Sequence, residues 1–138
     1  MNTYRFSDLK TGIQASFSAH VTEKMLDTFM QLSGDNNPLH ANTEYAREKK
    51  FPNRVVHGLL TAALYSRLVG LELPGQYALL HKIEISFLKP VFPGDTLTVS
   101  GEISELDETF RQIHVKAQII NQNNEKVSRA KIWVGFHE

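Results

Sequence analysis

GLLTAALYSRLVG, Gly58 to Gly70, is the stretch on which the fold turns. Leu59, Leu60, Ala62, Ala63, Leu64, Tyr65, Leu68 and Val69 leave it almost no polar face. A helix that is apolar nearly all round belongs at the centre of a fold. At about 1.5 Å per residue it would span roughly 20 Å. The wider apolar region, Val55 to Leu73, is broken by His57, Ser66, Arg67 and Glu72. A membrane span needs about 20 predominantly apolar residues, so this one reads as a buried helix and no membrane partner is expected.

Downstream of that helix the period changes to two. Ile83, Ile85 and Phe87 alternate with Lys82, Glu84 and Ser86, and Leu97, Val99 and Ile103 alternate with Thr98, Ser100 and Glu102. Ile113 to Ile119 and Ala130 to Phe136 repeat the pattern, with Trp133 on the polar alternate of the last run. One apolar and one polar face per strand is the mark of an antiparallel sheet. Pro93-Gly94-Asp95 and Asn121 to Asn124 supply turns between the runs.

Upstream, Thr11 to His20 reads as a further strand. Thr22 is placed to cap a helix over Glu23 to Leu32, and Ser33-Gly34-Asp35-Asn36-Asn37-Pro38 stops it. Asn42 or Thr43 can cap a short helix through Glu44, Tyr45 and Ala46. A half-covered sheet and a helix in need of burial have one economical solution. It is an α+β fold in which a curved antiparallel sheet wraps around a long central helix. The 138 residues suit one domain at ~100–200 residues each, and no linker or repeat divides 1–138.

Composition narrows the function. Fifteen Lys+Arg balance fifteen Asp+Glu, so the electrostatic footprint of a nucleic-acid binder is missing. The absence of Cys excludes a disulfide framework, thiol catalysis and Cys-ligated metal, and fits a cytoplasmic location. Met1 to Lys10 shows no basic start followed by an apolar run, so no signal peptide is expected. The six histidines, at 20, 40, 57, 81, 114 and 137, have no tight metal-ligand spacing, and no metal site is expected.

Two segments can carry chemistry. In LSGDNNPLH, Leu32 to His40, Asp35 and His40 sit either side of Pro38 on a loop that can aim both side chains at one point. A carboxylate that accepts and an imidazole that both donates and accepts can hold a water and move a proton near neutral pH. The same spacing also fits a helix-ending turn in which Asp35 caps backbone amides and His40 lies on the surface. In VVHGLL, Val55 to Leu60, Gly58 opens the central helix, where free N–H groups and a glycine can receive a carbonyl oxygen. Gly58 equally fits a place where helix meets sheet and crowding must be relieved. His57 reads as a packing residue, and Phe87 and Trp133 as core.

Taken in order, LSGDNNPLH, VVHGLL, SRLVGLELPG (Ser66 to Gly75) and SFLKPVFPGDTL (Ser86 to Leu97) resemble the MaoC-like hydratases and dehydratases, specifically the (R)-specific enoyl-CoA hydratases. The resemblance covers about Leu32 to Val99. It implies a hot-dog fold and a homodimer with sites near the subunit interface. It implies addition of water to a trans-2-enoyl thioester, giving an (R)-3-hydroxyacyl thioester, with Asp35 and His40 holding the water and sharing the proton transfers. By the same resemblance the Gly58 N–H polarises the thioester carbonyl, Asn37 braces the loop and Ser66 supplies a supporting hydroxyl. No cofactor is implied, since coenzyme A or an acyl carrier protein enters as part of the substrate.

Two departures stand out: Asn42, where relatives often carry an acid, and Gln76 to Glu84, which includes His81 and Lys82. The alternatives are dehydration of a 3-hydroxyacyl group on acyl carrier protein at the same site, a hot-dog thioesterase, and a non-catalytic acyl-thioester-binding module. The intact D-x-N-P-x-H segment argues against the last two.

Overall fold

The computed structural model describes every residue from Met1 to Glu138. Strand β1 (Gln14–His20) leads into helix α1 (Glu23–Ser33), two short helices α2 (Pro38–Ala41) and α3 (Thr43–Glu48), and the central helix α4 (Gly58–Arg67). Strands β2 (Ala78–Phe87), β3 (Thr96–Asp107), β4 (Gln112–Ile120) and β5 (Lys126–Phe136) follow. They form one sheet in the order β1-β3-β4-β5-β2, with every neighbouring pair antiparallel.

The local signals act where the sequence places them. The Thr22 hydroxyl accepts from the Met25 N–H at 3.1 Å, opening α1. Gly34 closes it in the left-handed region at φ 74°, which a side chain would resist. Asn42 caps α3, accepting from the Tyr45 N–H at 2.9 Å. The core joins α4 to the inner face of the sheet: Tyr65 and Leu68 lie against Leu97, Val99, Ile103, Val115, Ile132 and their neighbours. Gly101 leaves the space on β3 that the Leu68 side chain fills.

Three features differ from the sequence reading. The central helix does not run uniformly to Gly70, since after Arg67 it widens into a π-helical turn, Leu68–Glu72. Nor is it buried all round. Leu60, Thr61, Leu64, Tyr65, Leu68 and Val69 are buried, whereas Leu59 is 67% exposed and shares an open stripe with Ala63 and Ser66. The sheet covers one side of the helix, and residues spaced i, i+4, i+7 face away from it.

Phe87 and Trp133 are also not core. Phe87 ends an edge strand and stands half-exposed over Gly58. Trp133 lies on the outward alternate of β5, with the Lys82 and Lys131 ammoniums 4.5 and 4.8 Å from its ring centre. A bulge in β2 accompanies this outer cluster. Leu80 pairs with Val134 and Lys82 with Trp133, leaving His81 as an extra residue whose ring lies over Gly135.

No helix is long and apolar enough to cross a membrane.

Candidate active site

The loop after α1 presents Asp35 by pinning nearly every polar point around it. The Ser33 hydroxyl accepts from the Asp35 N–H at 3.1 Å and itself donates to the Phe29 carbonyl at 2.7 Å. Asp35 Oδ1 accepts from the Asn37 N–H at 3.2 Å, an Asx turn within the chain's own loop. The Asp35 carbonyl accepts from Nε2 of His57 at 2.8 Å. Oδ2 is left free, on a side chain 52% exposed.

Asn37 then opens α2, accepting from the Leu39 N–H at 3.0 Å, with Pro38 in the first helical position. That short helix carries His40 back toward Asp35.

His40 Nδ1 lies 2.6 Å from the Val55 carbonyl. A carbonyl oxygen only accepts, so Nδ1 carries the proton and Nε2 presents its lone pair. Nε2 faces Asp35 Oδ2 at 3.7 Å. Two acceptors that face each other across this gap call for a shared donor. One water molecule can donate an O–H to each, which leaves its own lone pairs free to attack carbon.

Arg54 fastens the surrounding pieces. Its guanidinium donates to Asp27 Oδ1 at 2.7 Å on α1 and to the His40 carbonyl at 3.5 Å.

His57 and Gly58 bring the start of α4 to the same place. The His57 ring stacks on His40 with centroids 3.8 Å apart and 22° between planes, and Phe29 backs it at 4.8 Å. The Gly58 N–H lies in the first turn, where no intrahelical acceptor exists, and it joins none of the backbone hydrogen bonds of the turns and loops. A Cβ on Gly58 would stand 3.0 Å from the Phe87 ring, so the glycine also relieves crowding. Beside it a cavity of about 300 Å³ is lined by Val55, Val56, Thr61, Phe87, Leu88 and Val91. A larger trough, about 1090 Å³, lies over the polar face of the sheet and includes none of these site residues.

Asp35, His40 and His57 have potential ligand atoms within 4.8 Å of one another, which invites comparison with a metal centre. The donors do not suit one. His57 Nε2 is spent as an N–H donor to a carbonyl, and stacked rings direct their in-plane lone pairs alongside each other instead of at a point.

The structure brings together Asp35, His40 and Asn37 and places Gly58 beside them through His57. Ser66 is not with them in this chain. It stands in the open stripe of α4, eight residues or about 12 Å along the axis from Gly58. Ser33, Arg54 and the Val55 carbonyl support the site, a role that the sequence reading assigns to none of them. The small polar residues two before and two after Asp35 were the available signal for Ser33; a main-chain carbonyl has none.

The model of the MaoC like domain matches residues 6–125. The chain belongs to the MaoC-like family. Within that family it is 37% identical over 101 residues to an (R)-specific enoyl-CoA hydratase of Rhodospirillum rubrum, covering 73% of this chain and 70% of that one. It is 34% identical over 101 residues to a 3-hydroxybutyryl-CoA dehydratase of Methylorubrum extorquens, covering 73% of this chain and 64% of the relative. Its fold superposes on the (R)-hydratase of Aeromonas caviae involved in PHA biosynthesis with a TM-score of 0.89 and 31% identity, over 94% of this chain and 98% of that one. The MaoC-like chain thus has the hot-dog fold expected from the resemblance, its helix-wrapping sheet matching that hydratase along almost its whole length.

Proposed function

We propose that this MaoC-like chain is an (R)-specific enoyl-CoA hydratase, a hydro-lyase that reversibly adds water to a trans-2-enoyl thioester to give the (R)-3-hydroxyacyl thioester. The observation that carries the reading is the facing pair of acceptors, Asp35 Oδ2 and His40 Nε2, 3.7 Å apart beside an unused helix N–H.

The water held by the pair attacks Cβ of the conjugated alkene. One water proton passes to the pair, and the pair returns one proton to Cα, so the product gains H and OH and the site regains its starting state. As the bond to Cβ forms, negative charge grows on the thioester oxygen. The Gly58 N–H at the positive end of α4 is the donor available to it. No cofactor takes part, because coenzyme A arrives as part of the substrate. Dehydration on an acyl carrier protein would use the same atoms in reverse.

The proposal includes a homodimer and a cytoplasmic location. Support for the dimer comes from apolar surface that one chain leaves open: Leu59 on α4, and Leu79, Leu80 and Phe87 on the edge strand β2. In light scattering after size exclusion the expected mass is twice that of one chain; a fully active monomer would contradict a site completed at an interface.

The deciding experiment mixes the purified protein with crotonyl-CoA and follows loss of the conjugated enoyl-thioester absorbance, with chiral analysis of the product and a parallel assay for free thiol. Loss of absorbance with (R)-3-hydroxybutyryl-CoA and no thiol is expected. Thiol release without hydration would make the chain a thioesterase. Inertness toward CoA substrates with turnover of carrier-protein substrates would move it to the dehydratase reading.

A further inference from the structure

His57 is only 3% exposed, and its environment is not that of a packing residue. Its Nε2–H is used, held by the Asp35 carbonyl at 2.8 Å. Its Nδ1 is buried with no hydrogen-bond partner. A buried polar atom left unpaired costs stability that a phenylalanine of similar shape, lying between Phe29 and His40, would not. What phenylalanine cannot supply is the N–H to the Asp35 carbonyl. The backbone of His57 is meanwhile anchored as the residue that opens α4, its carbonyl accepting from the Leu60 and Thr61 N–H groups at 3.0 and 3.3 Å.

We propose that His57 is the positioning residue of this site, acting as the Nε2–H tautomer that ties the Asp35 loop to the start of α4 and supplies the flat face on which His40 rests. It makes no hydrogen bond to either member of the proton-transfer pair through their side chains: its Nε2 stands 3.8 Å from Asp35 Oδ2 and its ring meets His40 face to face. Its ring sets the approach of Asp35 Oδ2 to His40 Nε2 from one side, and its backbone leads directly into the Gly58 N–H from the other. One residue therefore registers the proton-transfer pair, Asp35 and His40, against the carbonyl-binding amide of Gly58, parts of the site that lie well apart in sequence. This role rests on the hydratase reading above, since it is alignment for that reaction that the residue maintains.

The test compares wild type, His57→Phe and His57→Gln with crotonyl-CoA, alongside the tautomer of His57 read from long-range ¹H–¹⁵N spectra of the wild-type protein. Phenylalanine keeps the stack and loses the donor; glutamine reaches the same distance from the backbone with an amide N–H and loses the ring. With the loop released, kcat for His57→Phe should fall about tenfold or more while KM stays within about twofold, because misplacement of catalytic groups by about an ångström carries costs of that order or larger. His57→Gln should recover about threefold or more of that loss, a rescue that a purely packing role would not produce. The spectra should show Nε2 protonated and Nδ1 bare.

Full kcat in His57→Phe, equal kcat in the two variants, or an Nδ1–H tautomer would each overturn the proposal while leaving the hydratase reading intact. Failure of the wild type to hydrate any enoyl thioester would remove that reading, and this role with it. Should His57→Phe not fold, the glutamine variant and the tautomer still decide.

Discussion

Between Ser33 and His40 no side chain is fully buried, and the loop keeps its shape through side chains that reach main-chain groups: Ser33, Asp35, Asn37 and His40 from within, His57 from α4. Across β3, β4 and β5 the reverse holds. Leu97, Val99, Ile113, Val115, Ile119, Ile132 and Val134 are wholly enclosed, and the strands are held by burial over an antiparallel ladder that shifts register only at Ile103/Glu105 and Ile119/Ile120. The difference teaches that this chain keeps its chemistry and its stability in separate places. Polar atoms aimed at one point must stay reachable by substrate and water, so they cannot also be the apolar mass that drives folding.

The sharpest way to break that separation is Asp35→Asn. The amide oxygen can still accept from the Asn37 N–H, so the Asx turn should survive while the acceptor facing His40 is lost. Hydration should fall by roughly 10²–10⁴-fold, the usual contribution of a positioned acid–base group, with an unchanged melting temperature. A large drop in melting temperature would show that the loop also carries stability. Ile132→Ala is the mirror image: it should cost about 2–5 kcal/mol in denaturant unfolding while the folded fraction keeps its kcat.

A third test uses pH. The Tyr65 hydroxyl, buried on α4 and bonded to Ser128 at 2.7 Å, is pushed up to about 12, chiefly by burial and against the lowering effect of that hydrogen bond. Above its ordinary value of 10.0 the unfolded chain releases this proton while the folded chain retains it. Stability from this group is therefore complete below about pH 10 and lost between there and about 12, amounting to about 3 kcal/mol. Unfolding curves of wild type and Tyr65→Phe across that range should show the alkaline decline shrink in the variant. The smallest effect is expected at the boundary of the two regions. Asn37→Ala removes the cap of α2 and should cost about 1 kcal/mol in stability, with activity falling only severalfold.

Much of both regions is legible before any coordinates. The period-two runs announce the sheet, Thr22, Gly34 and Asn42 announce the helix boundaries, and the D-x-N-P-x-H segment announces the loop. What escapes is whatever depends on main-chain atoms or on only part of a surface. Val55 orients His40 through its carbonyl, a group every residue possesses. His57 looks like a packing histidine until its two nitrogens are seen to differ in partnership. The apolar character of Leu59 reads as burial although the sheet never reaches it, because hydropathy records the need for cover without saying which face of the helix receives it.

The bulge at His81 has a consequence for how this protein behaves when crowded. An edge strand with a free row of N–H and C=O groups invites indefinite addition of further strands. On β2 that row is interrupted, with Ala78–Leu80 before the extra residue and Lys82–Phe87 after it, and the alternation of side chains reverses sense between them. A flat strand from a misfolded neighbour can follow one piece or the other but cannot zip through both, and Lys82 and Glu84 place charge on the longer piece. Fibre-like growth from this edge meets a break in the template before it can propagate.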